Sequence, residues 1–527
     1  MDAPLARGAQ LLLLPLVLLC ACAGAAQLPL PLPLPAAAEQ PAGERVAGRR
    51  ALLGADEEAP LIVLLREARH ASALQPGGPC AAWPLGRRRR VFGAALAAVA
   101  GRFTGGDLAA LRGCLPDGAV VAAEQDGRVF KAEGPGHSAA AAAPPPPLPR
   151  VRVAEGGGAA PPPVAAPSHS GSRETPPADI EAASAAADAA LAAVYNVTGA
   201  SPGAARASAR VLWNLDRLDQ RGLPLDGAFS APAAGRGVTI YALDSGLNTA
   251  HREFGRWGGD GGRGSRASLG ADFLGGKTGD LGVANDCDGH GSHVASTAVG
   301  RAVGVAPGAE VVSLKVLDCD GSGSISDVVA ALDWVAANAR RPAVVTLSLG
   351  VPAGEWSAAM EHAVRSVVVN SGILVVVAAG NDRADACGVA PASVEEALTV
   401  AASNDPGKWR LGRILGGGGG GDGDGDTLYS WGNAGPCVDM LAPGVDIWGA
   451  CASDARCGHA TDAAYTWASG TSMAVPHVAG AAALYLERNP RASPADVKAA
   501  LIAAATEGAV SLESAAAQGT PNRLLYV

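Results

Sequence analysis

Aromatic residues are scarce, making up 4% of the 527 residues as nine tryptophans, six tyrosines and six phenylalanines. The 48% hydrophobic content is therefore mostly alanine. No apolar run reaches the roughly 18 residues that a membrane-spanning helix needs, so no membrane span is expected. Basic residues do not outnumber acidic ones: 41 against 50 gives a formal charge of −9. Without a basic stripe, nucleic acid is not an expected partner. The 70 glycines and 38 prolines are about a fifth of the chain, short of the level that marks wholesale disorder. Coiled coil, collagen and membrane channel are excluded. The length accommodates one large domain with accessories.

The N-terminus reads as a secretory signal over residues 1–25. Arg7 gives the positive region, LLLLPLVLLCAC (11–22) the apolar region, and Ala23-Gly24-Ala25 the small-residue cleavage site. Pro15 and the short run argue against the alternative, a buried N-terminal helix. Secretion implies an oxidising compartment. Residues 26–58 are a low-complexity Pro/Ala-rich segment. Residues 59–131 read as a small domain, with a strand at LIVLL (61–65), a short helix at DLAALRGC (107–114), and a hairpin over 119–130 turning at Asp126-Gly127. The run Arg87–Arg90 reads as a solvated loop or a processing site. An Ala/Pro/Gly-rich linker covers 132–206 and carries the sequon Asn196-Val197-Thr198, either a glycosylation acceptor or an unused site.

From residue 207 to 527 the pattern changes. Continuous apolar runs VTIYAL (238–243), VVSLKVL (311–317), VVTLSL (344–349), ILVVVAA (373–379), ALTVAA (397–402) and CVDMLA (437–442) predict strands buried on both faces. Helical patterns lie near 324–338, 356–370, 472–487 and 494–505. The alternation predicts an α/β fold, a doubly wound parallel sheet with flanking helices. In such a sheet the chemistry belongs at the carboxyl ends of the strands.

Three clusters carry that chemistry. The strand at 238–243 ends in Asp244-Ser245-Gly246. Asp288-Gly289-His290-Gly291-Ser292-His293 opens one helix, and Gly470-Thr471-Ser472 opens another. A hydroxyl nucleophile needs a base, and the base needs a group that fixes its tautomer. Ser472, His290 and Asp244 supply the three. Asn381, where the strand at 373–379 runs out, has an amide suited to an oxyanion, as has the Ser472 backbone N–H. The two histidines of HGSH, at i and i+3, are not a zinc-protease pair, which uses i, i+4 with a glutamate; His293 reads as a packing residue.

These clusters, with VVTLSLG (344–350), VVVAAGND (375–382), WASGTSMAVPHVAGAAALYL (467–486) and GTPNRLLYV (519–527), resemble the subtilases, in particular their proteinase K-like branch. The resemblance spans about 207–527. It implies a subtilisin-like sheet preceded by a small α+β propeptide domain at 59–131. It also implies a triad of Asp244, His290 and Ser472, Asn381 as the oxyanion amide, and no cofactor for catalysis. Ser348, Leu349, Gly350, Ala378, Ala379 and Gly380 fall on the segments that pair with substrate backbone and wall the first specificity pocket. Ser292, Ser296 and Val475 depart from the residues usual in the family.

Cys20 and Cys22 leave with the signal, and Cys80 and Cys114 lie in the pro-region, where a pairing between them is open. Six cysteines at 287, 319, 387, 437, 451 and 457 suit disulfides, though six allow 15 connectivities. A thermostable bacterial subgroup resembles the chain around DCDGHGSH and LDCDGSGS. That implies Cys287–Cys319 and Cys387–Cys437, leaving Cys451–Cys457. A free thiol at Cys287 is the alternative. The resemblance also implies a structural calcium on Asp439 with the carbonyls of Glu395 and Ala397, against a salt-bridged or solvated aspartate. GGGGGGDGDGD (416–426), in an apparent insert at 406–427, reads as a surface loop rather than a metal site. The expected protein is a secreted serine endopeptidase, extracellular or in a lytic compartment, made as a self-inhibited precursor. Its partners would be polypeptide substrates and its own propeptide, and it would be a monomer. A non-catalytic binding protein on the same fold is the alternative.

Overall fold

The computed structural model describes residues 58–74, 78–80, 89–133, 212–255, 264–276, 284–406, 425–452, 462–512 and 517–527. The signal, the linker with its Asn196 sequon, most of the 406–427 insert and Cys457 lie outside these residues. The described residues all belong to one compact unit.

The N-terminal part is a four-stranded antiparallel sheet in the order β2-β3-β1-β4, with β1 at Ala59–Leu65, β2 at Arg89–Phe92, β3 at Ala98–Phe103 and β4 at Val120–Gln125. Helix α1 spans Ala68–Ser72 and α2 spans Gly105–Cys114. A capping box of Thr104 and Asp107 starts α2, and a Cys80–Cys114 disulfide ties its end. LIVLL is apolar throughout because both faces of β1 are buried. Leu61, Val63 and Leu65 pack on Leu111 and Phe103, while Ile62 and Leu64 join Val328, Leu332 and Val364 of the main body.

Two expectations are corrected here. The arginine run is not simply solvated: Arg90 lies in β2 and its guanidinium forms a buried ion pair with Asp327 at 2.9 Å. The stretch 119–130 does not close as a hairpin. Strand β5, Arg128–Lys131, leaves β4 at Asp126-Gly127 and pairs antiparallel with two short strands of the main body, β9 (Ser322–Ser324) and β11 (Leu349–Gly350). The Asp126 carboxylate accepts from the Ser326 N–H and hydroxyl, and Gly127 C=O accepts from Ile325 N–H. Partners across the cleft win over the neighbouring strand.

The main sheet has nine strands. From one edge they run β18 (Thr506–Glu507), β20 (Arg523–Leu524), β15 (Met440–Pro443), β13 (Leu398–Ser403), β12 (Leu374–Ala378), β10 (Ala343–Leu347), β6 (Thr239–Asp244), β8 (Glu310–Lys315) and β7 (Ala267–Asp272). All neighbours are parallel except the β18–β20 pair. Alternate residues enter opposite cores: Tyr241, Leu243, Val345 and Val375 on one face, Ile240, Ala242, Val344 and Val376 on the other. Two-sided burial is why these strands lack polar alternation. Helices α3 (Trp213–Asp216), α4 (His290–Val299), α5 (Ile325–Asn338), α6 (Ala358–Val369), α7 (Thr471–Arg488) and α8 (Pro494–Ala504) cover the faces. The remaining short strands, β14 (Asp426–Thr427) with β19 (Val510–Ser511) and β16 (Ile447–Ala450) with β17 (Tyr465–Ala468), form two ribbons. Ser296, a family departure, links α4 to β16: its hydroxyl donates to His293 C=O and accepts from Ala450 N–H.

Further disulfides join Cys287–Cys319 and Cys387–Cys437, and Cys451 is also disulfide-bonded. The last aspartate of the glycine-rich run, Asp426, is no loop residue. It is fully buried in a forked ion pair with Arg217, at 2.8–3.0 Å.

Candidate active site

From β6 the chain passes to the edge strand β7, returns to β8 between them, and then crosses to β10 on the other side of β6, so its direction of progress across the sheet reverses beside β6. A crevice opens at the carboxyl ends of the strands at such a point. Asp244 is the last residue of β6, and Ser348 follows β10 directly.

Helix α4 brings His290 to Asp244. This needs a close backbone approach: a Cβ on Gly291 would sit 2.2 Å from Gly246 C=O, so only glycine fits. His290 Nδ1 and Asp244 Oδ1 are 2.7 Å apart, both side chains buried. Burial works against the imidazolium, but the Asp244 carboxylate outweighs it and holds the pKa of His290 above the usual histidine value. His290 Nε2 is buried and makes no hydrogen bond. His293 packs as expected: its Nε2 donates to Ile447 C=O at 2.9 Å, and burial lowers its pKa to about 4.

Ser472 lies in the first turn of α7. Its Oγ donates to Ser348 C=O at 3.0 Å rather than to His290. Pro476, inside the same helix, has no N–H to offer the Ser472 carbonyl four residues back. The Ser348 hydroxyl takes its place and donates to Ser472 C=O at 3.0 Å. Asn381 accepts from Thr471 N–H through Oδ1 at 3.0 Å, which aims its amide group.

The Ala132 carbonyl sits at this point. It accepts from Ser472 N–H at 3.0 Å and from Asn381 Nδ2, and Ala132 N–H donates to Ser348 C=O at 3.0 Å. The residues before it continue as β5, with Lys131 opposite Leu349 and Phe130 opposite Gly350. Val129 is fully buried, whereas Phe130 is 42% exposed.

Of the two expected pairing segments, therefore, 348–350 meets residues 130–132, while the second backbone partner is β9. Ala379 N–H and Gly380 N–H are engaged by Val400 C=O and Thr471 Oγ1. Ala378 is buried in the same large apolar core cluster as Ala132. Sequence reasoning missed Asn433. Its buried amide holds the loop carrying Asn381, bonding Ala379 C=O, Asp382 N–H and Ala384 N–H. Its lone position on an irregular stretch gave no signal.

The calcium expectation is also corrected. Asp439 and the carbonyls of Glu395 and Ala397 do converge, but on the ammonium of Lys498, at 2.8, 2.7 and 2.6 Å. One carboxylate and two carbonyls already bound to a cation do not fit a calcium ion, which takes six to eight oxygens. Among the described residues no group of three or more His, Cys, Asp or Glu is placed to hold a metal.

Fold and crevice together define an α/β protein with a buried Asp–His pair and a serine in the first turn of a helix. Residues 235–523 match the family model described as the subtilase family, and the chain belongs to that family. It is 42% identical over 315 residues to the alkaline serine exoprotease A of Vibrio alginolyticus, covering 60% of this chain and 50% of that protein. It is 42% identical over 316 residues to an extracellular serine proteinase of Thermus sp. (strain Rt41A), covering 60% and 65%. The crystal structure of a cold adapted subtilisin-like serine proteinase superposes with a TM-score of 0.50 at 39% identity, covering 60% of this chain and 98% of that one. The chain thus spans between half and two-thirds of the first two relatives. No helix among the described residues is long and apolar enough to cross a membrane.

Proposed function

We propose that the chain is the precursor of a secreted serine endopeptidase, with residues 59–132 as its pro-region and inhibitor. The observation that carries this reading is the Ala132 carbonyl, held by Ser472 N–H and Asn381 Nδ2 beside the Ser472 hydroxyl. Two donors on one carbonyl oxygen are what a tetrahedral oxyanion requires.

Ser472 Oγ turns from Ser348 C=O to His290 Nε2, gives up its proton and attacks the Ala132 carbonyl carbon. Asp244 holds the imidazolium. His290 passes the proton to the Glu133 nitrogen as the Ala132–Glu133 bond breaks. Water, deprotonated by His290, then hydrolyses the acyl-enzyme and leaves a carboxylate at Ala132. Polypeptide substrates follow the same course in the vacated cleft, entering as a strand between β9 and β11. Activity rises with pH as His290 loses its proton, because only the neutral imidazole is a base.

A fluorophosphonate probe tests the reading. Labelling of the matured protein at Ser472, lost in Ser472→Ala, is expected. Absence of labelling together with absence of peptide hydrolysis would leave a non-catalytic member of the family.

A further inference from the structure

The residue before Ala132 is a lysine, and its side chain is taken into the protein with only 13% exposed. Lys131 Nζ meets Asp288 Oδ2 at 2.8 Å and Oδ1 at 3.1 Å, with Glu133 at 3.2 Å. The Asp288 side chain is 3% exposed and stands two residues before His290. The opposite wall is shaped for a long stem. Lys131 N–H donates to Gly321 C=O, and a Cβ on Gly321 would lie 2.6 Å from Lys131 Cδ and Cε. The Cys287–Cys319 disulfide fastens these walls together, since Cys287 adjoins Asp288 and Cys319 lies two residues from Gly321. Burial pulls the lysine pKa down, but Glu133 and Asp288 overcome it and the net direction is up, so the side chain stays charged in the cleft.

Resting on the peptidase reading, we propose that Asp288 makes this cleft select polypeptides with a basic residue immediately before the small residue at the cut bond. The discrimination has two parts. A lysine ammonium neutralises a carboxylate that the bound strand removes from water. A neutral residue covers that carboxylate without pairing it, and an acidic one repels it. Asp288 Oδ1 also accepts the His290 N–H at 3.1 Å, so a purely structural role has to be separated from a selecting one. Asp288→Asn does this, because an amide oxygen still accepts that N–H while the charge is gone.

The test uses enzyme matured from the full-length chain and peptides containing Arg-Val-Phe-Xaa-Ala-Glu, with Xaa as Lys, Ala or Glu. The expected order of kcat/KM is Lys, Ala, Glu, with about tenfold or more between the first two, the worth of a close charge pair. In Asp288→Asn the Lys/Ala ratio should fall to within about threefold. A wild-type ratio near one, or a ratio untouched by Asp288→Asn, overturns the proposal. A second measurement needs no hydrolysis: amide exchange of segment 128–132 in full-length Ser472→Ala. Lys131→Met should loosen the segment, and adding Asp288→Asn should loosen it no further. Additive effects overturn the pairing. If no peptide is cut yet the exchange effects are coupled, the peptidase reading fails and the basic subsite stands.

Discussion

Asn381 uses both ends of its amide, and that division sets what its loss should do. Nδ2 donates to the Ala132 carbonyl, while Oδ1 receives Thr471 N–H at the start of α7. Asn381→Ala should lower kcat by about 10²–10³, the usual effect of one lost oxyanion donor, with KM little changed because 348–350 and β9 hold the substrate strand. Steady-state kinetics on a peptide substrate reads this. A modest fall in melting temperature should accompany it, since Thr471 N–H loses its acceptor. Ser348 makes the converse case. Its carbonyl serves the bound strand, whereas its hydroxyl serves the Ser472 carbonyl that Pro476 leaves unpaired. Ser348→Ala should therefore cost about 1–3 kcal/mol in unfolding measurements, the desolvation cost of an orphaned buried acceptor, while KM stays within about twofold. The sequence made the reactive types legible, since a strand-end aspartate and two helix-start clusters are unusual. It did not reveal the Ser348–Pro476 arrangement, which needs two segments 124 residues apart to meet at the Ser472 carbonyl.

Elements expose a different limit. The strands of the main sheet were legible because burial on both faces leaves continuous apolar runs, and the helices because their periodic patterns lie between them. The course of β5 was not. Asp126-Gly127 carries the signal of a tight turn, but the partners that decide the pairing, β9 and β11, lie roughly 200 residues on in the sequence. Lys498 was hidden for the same reason, sitting on the exposed side of α8 in the pattern yet reaching Asp439 and two carbonyls. Its ammonium supplies the charge expected of calcium. Lys498→Met should lower stability by about 2 kcal/mol, less than the 3–5 of a fully buried broken pair because both partners keep a fifth of their exposure. A chelator should act equally on the melting temperatures of wild type and Asp439→Asn; a larger effect on wild type would restore a metal at Asp439. The contact between the N-terminal sheet and the helices is also charged. Glu124 accepts from Ser357 Oγ and Ala358 N–H at the start of α6, and Asp126 from Ser326 at the start of α5. Burial raises both carboxyl pKa values despite these bonds. A carboxyl whose pKa is raised on docking takes up a proton there. Docking therefore has its full support below the ordinary carboxyl pKa values and loses that support as pH rises through the raised ones. Residual inhibition after cleavage should last longer at mildly acidic pH than at neutral pH, and Glu124→Gln with Asp126→Asn should flatten that dependence.

At the scale of the whole molecule the position of the first cut becomes a definite expectation. Residues 128–132 lie in the cleft as a substrate strand would, paired on both sides, with the Ala132 carbonyl between two donors and Glu133 following. Self-cleavage within one chain requires no encounter, because the N-terminal sheet docks on α5 and α6 and delivers the strand. The released pro-region should end at Ala132, and intact mass of that fragment reads the cut even if the new N-terminus at Glu133 is trimmed afterwards. Ser472→Ala should accumulate uncut in a protease-free host. Ala132→Pro should also stay uncut at this bond, because proline removes the N–H that donates to Ser348 C=O and restrains Lys131 before it. Folding should survive in both variants, since neither residue supports the sheet. Fragment masses ending elsewhere in the wild type would mean that Ala132 occupies the cleft as an inhibitor without being the processing point. Normal cutting at Ala132 in Ser472→Ala would assign maturation to another protease.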